Sequence, residues 1–189
     1  MKRLFSYLLM IAGTALVFVG TRDLIESHIG QSVAAHNFKA PAPPVARPVP
    51  RIHPGDTVAK LSIPRLNTQL YVIEGDDERE LRRGPGHLPG TEMPGARGNS
   101  VIAGHRDTHF RVLRGIRKGD DIVLQTSAGQ FLYRVRRTDI VPPTDTSSLQ
   151  PSSTPVLHLI TCYPFHYVGA APKRFVVEAS LAGQVTRLE

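Results

Sequence analysis

Leu157-His158-Leu159-Ile160-Thr161-Cys162-Tyr163-Pro164 is a short apolar run that carries the only cysteine of the chain and is stopped by a proline. With Pro155 and Val156 in front, its length and composition predict a buried β-strand over Pro155–Thr161 that delivers a thiol at its end. One thiol cannot form an internal disulfide. A lone thiol carried into an oxidising compartment risks oxidation and mispairing, so Cys162 is there either for sulfur chemistry or as an inert buried hydrophobe.

The texture around this strand repeats it. Short alternating or apolar runs broken by Gly, Pro, Asn and Asp predict further strands at Val58–Ile63, Gln69–Ile73, Ser100–Ala103, Asp121–Gln125, Gln130–Thr138 and Lys173–Ser180, the spacing of an all-β sandwich or barrel. In Gln130–Thr138, Phe131, Tyr133 and Val135 alternate with Leu132, Arg134 and Arg136, and Ala128-Gly129 supplies the turn of a hairpin before it. Residues 77–83 and 108–113 each have room for a turn or two of helix. Sixteen prolines and sixteen glycines favour turns and short strands over long helices. No internal repeat interrupts the pattern.

The N-terminus has a different composition. Lys2 and Arg3 precede an uncharged run from Leu4 to Gly20, which at about 1.5 Å per residue is just long enough to cross a hydrocarbon layer. A positive N-terminus before such a run places the N-terminus inside the cell. No small-x-small cleavage site follows closely, so the run reads as an uncleaved signal anchor over residues 1–20 rather than a removed signal peptide. Thr21 to Phe38 can continue as a weak helix, and the proline-rich stretch from Lys39 to Gly55 predicts an extended spacer, so residues 21–55 form a membrane-proximal segment and stalk. Residues 56–189 remain, about 135, the usual size of one domain. This single-pass topology in the cytoplasmic membrane puts the domain on the extracytoplasmic side. The net charge of +7 is then an envelope-facing surface, and nucleic acid is excluded as a partner by location.

A thiol nucleophile needs a nearby cation to hold its thiolate form, most often an imidazolium. Eight histidines are available. His28, His36 and His53 fall in the membrane-proximal segment, His87 in a Gly/Pro-rich loop and His109 on a short helical turn, and each reads as a surface or capping residue. His158 lies inside the cysteine strand, where a packing role fits. His166 sits four residues past the cysteine and is the local rival. His105 differs from all of these, because Asn99-Ser100-Val101-Ile102-Ala103-Gly104 is an apolar strand that ends in glycine and presents the imidazole at a strand edge. Acyl transfer also needs donors for a developing oxyanion, which an arginine can supply. Arg174 opens the apolar run Phe175-Val176-Val177, expected to pair beside the cysteine strand.

Leu159-Ile160-Thr161-Cys162 resembles the Thr-Leu-x-Thr-Cys signature of sortases, with Ala103-Gly104-His105-Arg106 similar to their histidine region and Arg174 to their arginine. The resemblance extends over about residues 56–182 and is nearest the class D sortases. It departs at His158, which stands where the signature has its first Thr. It implies a closed eight-stranded β-barrel with one or two short helices behind an N-terminal transmembrane helix. It also implies a membrane-anchored cysteine transpeptidase that cuts a Leu-Pro-x-Thr-Gly-like C-terminal sorting motif of secreted proteins. In that reading Cys162 is the nucleophile, His105 the general acid and base, Arg174 the oxyanion and substrate stabiliser, and Thr161 a supporting residue. The thioester is resolved by an amine acceptor such as a peptidoglycan precursor or a pilin lysine.

No cofactor is read from the residues, and the resemblance adds only calcium stimulation, which some sortases show. The acidic residues Glu74, Asp76, Asp77, Glu78 and Glu80 are crowded but lack the spaced loop of a calcium site, and read as a helix N-terminus. Two other readings remain: another thiol enzyme of wall remodelling, such as an L,D-transpeptidase or a secreted cysteine peptidase, or a non-enzymatic envelope-facing barrel in which Cys162 is a buried hydrophobe. The chain lacks the Ser-His-Gly-x-x-Cys-like arrangement that the L,D-transpeptidase reading would need.

Overall fold

The structure, a computed structural model, describes residues 2–38, 52–167 and 169–184. Eight strands form a closed barrel: β1 Thr57–Ile63, β2 Thr68–Glu74, β3 Gly86–His87, β4 Asn99–Gly104, β5 Asp121–Thr126, β6 Gly129–Val141, β7 Val156–Tyr163 and β8 Lys173–Gln184. Their order around the barrel is β1-β2-β3-β4-β7-β8-β6-β5. β2–β3 and β4–β7 are parallel, and the other contacts are antiparallel. Closure is narrowest at β3, whose two residues pair with only the ends of β2 and β4.

Alternation builds the core. Leu61 and Ile63, Ile122 and Leu124, Tyr133 and Val135, Leu157 and Leu159, and Val177 and Ala179 point inward from five strands and are fully or almost fully buried. The hairpin expected before Gln130–Thr138 is present, with Thr126 paired to Gly129 across a two-residue turn. Seven strands coincide with the runs expected from the sequence. β3 is the exception: two residues long, it exists only because β2 and β4 pair on either side of it.

Between the strands lie helix α2, Glu78–Arg83, and a 3-10 turn, His109–Gly115. Glu78 and Glu80 fall in the first turn of α2, where acidic side chains meet the positive end of the helix dipole. No cluster suited to a metal ion occurs among the described residues.

Helix α1 runs without a break from Lys2 to Asn37. The apolar run Leu4–Gly20 is therefore helical, but it does not stand apart as a separate spanning helix, because nothing between Gly20 and Asn37 stops the turn. Among the described residues no helix is long and apolar enough to cross a membrane, and most side chains of that run lie outside them. The expected spacer lies outside the described residues from Lys39 to Arg51.

Leu159→Ala removes a fully buried side chain from the centre of β7. It should cost about 2–5 kcal/mol in urea unfolding of the full-length protein, with the β7–β8 register unchanged.

Candidate active site

The register of three strands places the candidate residues in one row. β7 pairs in parallel with β4, ending at Gly104 opposite Thr161, so His105 is the next residue along beside Cys162. On the other side β7 pairs antiparallel with β8, and Arg174 lies directly opposite Cys162. Neighbouring strands are about 5 Å apart, so the three backbone positions fall within two strand spacings of one another. Leu157, Leu159 and Val177 face the core. By alternation, Cys162 and Arg174 face out. Gly104 faces in against the Phe110 ring, so tightly that a Cβ there would lie 2.8 Å from it, and this turns His105 outward too.

Cys162 is a free thiol, and it and His105 are half-buried. Arg174 is also half-buried, its Nη1 donating to the carbonyls of Ala171 (3.4 Å) and Lys173 (3.1 Å). His166 is exposed. Thr161 turns inward, and its hydroxyl donates to the Gly104 carbonyl at 2.6 Å. That bond fastens the end of the cysteine strand to the residue before His105.

Beside the row the outer face carries a patch of apolar side chains, with Asp145, Thr146 and Ser148 at its border. A groove of about 210 Å³ has Ala103, Ile160 and Val176 in its floor, Arg174 at one end and Leu149 and Pro143 of the β6–β7 loop in its wall. The loop is held by Asn99, whose side-chain amide donates to the carbonyls of Ser148 (2.8 Å) and Gln150 (2.9 Å). Asn99 is in turn oriented by His158: with both amide hydrogens spent, its Oδ1 accepts from His158 Nδ1–H at 2.7 Å. His158 is thus the buried packing residue expected. Burial lowers its pKa, and the Glu178 carboxylate 3.6 Å from Nε2 only partly offsets this.

Three residues play parts that the sequence did not disclose. Arg106 is 7% exposed, and its guanidinium donates to the carbonyls of Pro164 (3.2 Å), Tyr167 (2.8 Å) and Gly169 (3.2 Å) while lying over the Tyr167 ring. It ties the loop after Cys162 to the residue after His105. His87, expected at the surface, is 2% exposed and bonded through Nδ1 to Glu74 at 2.7 Å, because the short β3 carries it into the barrel wall. His109, also expected at the surface, is 6% exposed and bonded to Ser27 at 2.7 Å, because α1 covers it. His28, His36 and His53 are exposed, as expected.

Burial, aided by repulsion from His105, lowers the pKa of His109 from 6.5 to about 4. The folded state then refuses a proton that the unfolded chain accepts. Stability is full above pH 6.5 and falls as the pH drops towards 4, by up to about 3 kcal/mol. Urea unfolding at pH 7 and pH 4.5 should show this loss, and His109→Gln should reduce it, leaving the part due to His158, whose pKa burial also lowers. Glu178 and Asp120, whose pKa values are lowered by their arginine partners, add to the loss only at lower pH. Asn99→Ala leaves two loop carbonyls without their donor, and amide exchange across residues 142–155 should speed up about tenfold in hydrogen-exchange mass spectrometry.

Residues 61–182 match the sortase domain family. The chain is 42% identical to sortase D of Bacillus subtilis over 125 residues, which cover 65% of this chain and 63% of that protein. It therefore spans a little under two thirds of that relative's length. Among solved structures it is similar to a Clostridium perfringens sortase D5 transpeptidase, with a TM-score of 0.64 and 30% identity over 70% of this chain and 83% of the other. The catalytic domain of Bacillus anthracis SrtD gives a TM-score of 0.63 and 31% identity over 77% of this chain and all of that one. With the closed barrel and the His105–Cys162–Arg174 row, these matches identify the chain as a member of the sortase family.

Proposed function

We propose that the protein is a membrane-anchored cysteine transpeptidase that cleaves a Leu-Pro-x-Thr-Gly-like C-terminal sorting motif of secreted proteins and passes the product to an amine. The observation that carries this is the single row of thiol, imidazole and guanidinium, of which Arg174 also lines a mostly apolar groove. An extended, largely apolar motif suits a floor of Ala103, Ile160 and Val176, with its scissile carbonyl at Cys162.

The Cys162 thiolate attacks the Thr carbonyl, forming a C–S bond while the carbonyl oxygen takes the negative charge. Arg174 donates to that oxygen, a task its fixed charge and forked donors suit. Its hydrogen bonds to two nearby carbonyls are long enough to exchange for this one. As the C–N bond breaks, His105 gives its proton to the leaving amine. The incoming amine then attacks the thioester, His105 accepts its proton, and Cys162 leaves as thiolate. The amine comes from a peptidoglycan precursor or a pilin lysine. No cofactor enters these steps. The Leu4–Gly20 part of α1 anchors the chain in the cytoplasmic membrane, with the barrel on the extracytoplasmic side, where both substrates are found.

The test is a library of fluorescent sorting peptides incubated with the full-length protein and an added amine, the products read by mass spectrometry. Cleavage with ligation to the amine, and a trapped thioester on Cys162, are the expected results. Cys162→Ala should abolish both. Arg174→Ala should lower kcat about 10²- to 10³-fold, with Arg174→Lys failing to restore it. A protein that modifies no peptide, and whose Cys162 is alkylated near neutral pH only after unfolding, would instead be a binding barrel with an inert thiol.

A further inference from the structure

Helix α1 contributes nothing to the strand ladder of the barrel, yet its second half is bound to it along three turns. Glu26 pairs with Arg82 at 2.9 Å. The Gln31 side chain donates to the carbonyls of Tyr71 and Arg83, both at 3.0 Å, and accepts from Tyr71 N–H at 2.6 Å. Gly30 is buried so closely on Arg83 that a Cβ would fall 2.5 Å from its Cα, and the Phe38 ring packs 5.6 Å from that of Tyr71. A helix loosely tethered to a barrel needs none of these contacts.

One contact reaches a different element. Ser27 Oγ lies 2.7 Å from His109 Nε2, and Thr108 Oγ1 lies 3.2 Å from the other ring nitrogen. His109 belongs to the same tight loop as His105, closed by Phe110 N–H donating to the His105 carbonyl at 3.0 Å, with Phe110 buried under Gly104. Its low pKa keeps the ring neutral at physiological pH, so one nitrogen accepts and the other donates. The ring thus bridges α1 and the loop as a hydrogen-bonded pin and adds no charge beside His105.

We propose that Ser27 and His109 are positioning residues: through them the docked half of α1 fixes the loop of residues 105–110, so that the His105 imidazole stays in line with Cys162. The role rests on His105 being the acid and base of the reaction. It makes the membrane-proximal helix a part of the active site's framework, so that freeing the barrel from α1 costs turnover rather than binding.

The experiment uses the full-length protein in detergent micelles, the ligation assay described above, and NMR of the His105 ring carbons. Ser27→Ala removes one oxygen, and Gly30→Val undocks the helix. Both should lower kcat about five- to tenfold, the size of one lost hydrogen bond, with KM changed by less than about twofold. The His105 ring signals should shift or broaden in both variants and stay put in Ser27→Thr, which keeps the hydroxyl and the turnover. A purely structural role would lower the melting temperature without moving those signals or kcat, and would overturn the proposal. His105→Gln separates the two layers. If it is inactive while Ser27→Ala and Gly30→Val keep kcat within about twofold of the parent, the positioning role fails and the site stands. If His105→Gln itself turns over normally, the reading of His105 fails and the proposal with it.

Discussion

The geometry of the site depends on the pairing of β7 with two neighbours at once. A strand pair has a side-chain period of two, so a slip of one residue on either side would turn His105 or Arg174 to the opposite face from Cys162. Two features prevent the slip. Leu157 and Leu159 on β7 and Val177 and Ala179 on β8 are buried in one core, and a slip would turn one strand's pair out of it. The Thr161 hydroxyl, bonded to the Gly104 carbonyl, fixes the one parallel pairing that brings the histidine strand to the cysteine. Parallel strands come from distant parts of the chain. Burial therefore has to specify here what a hairpin turn specifies elsewhere.

Most of this was legible because strands advertise themselves by alternation. The apolar residues of β1, β2, β4, β5 and β7 mark their extents to within about two residues. β6 and β8 run further than expected, to Val141 and Gln184, because each end pairs with the other strand: Asp139 to Val141 with Val176 to Arg174, and Leu181 to Gln184 with Tyr133 to Phe131. The closed order of the barrel came from the family resemblance, since alternation tells which face a residue takes and not which strand it meets. Cys162, His105 and Arg174 could be picked out as residues at strand ends. His87 and His109 could not, because the partners that bury them, the flanking strands in one case and a helix 82 residues away in the other, leave no mark nearby in sequence. Arg106 escaped for a similar reason: among so many arginines, only the carbonyls of a distant loop distinguish it.

His158, the residue that departs from the sortase signature, takes its meaning from the same register. It lies opposite Glu178 on β8, which lies opposite Arg137 on β6, so the departure extends a polar row across the sheet four residues along β7 from the catalytic one. A threonine is shorter than an imidazole. The longer side chain meets Asn99 on one nitrogen and faces Glu178 on the other, and Asn99 carries the wall of the groove. The substitution therefore acts on the groove through its wall, leaving the row of Cys162 untouched.

Why the chemistry sits on the outside of the barrel follows from the inside being full. Tyr133, Phe110 and a set of branched aliphatic side chains occupy the interior. A substrate can only be held against the outer face, beneath loops, and loops lack the apolar contacts that fix strands. Here that work falls to buried polar side chains: Arg106 on the loop after β7, Asn99 on the loop after β6, and His109 on the loop after β4. Each has its polar atoms satisfied only when its loop is closed, and an unsatisfied buried group is costly, so the open form of each loop is disfavoured at the same residue that holds it shut. The barrel supplies register, and these three side chains carry that order out to the loops around Cys162.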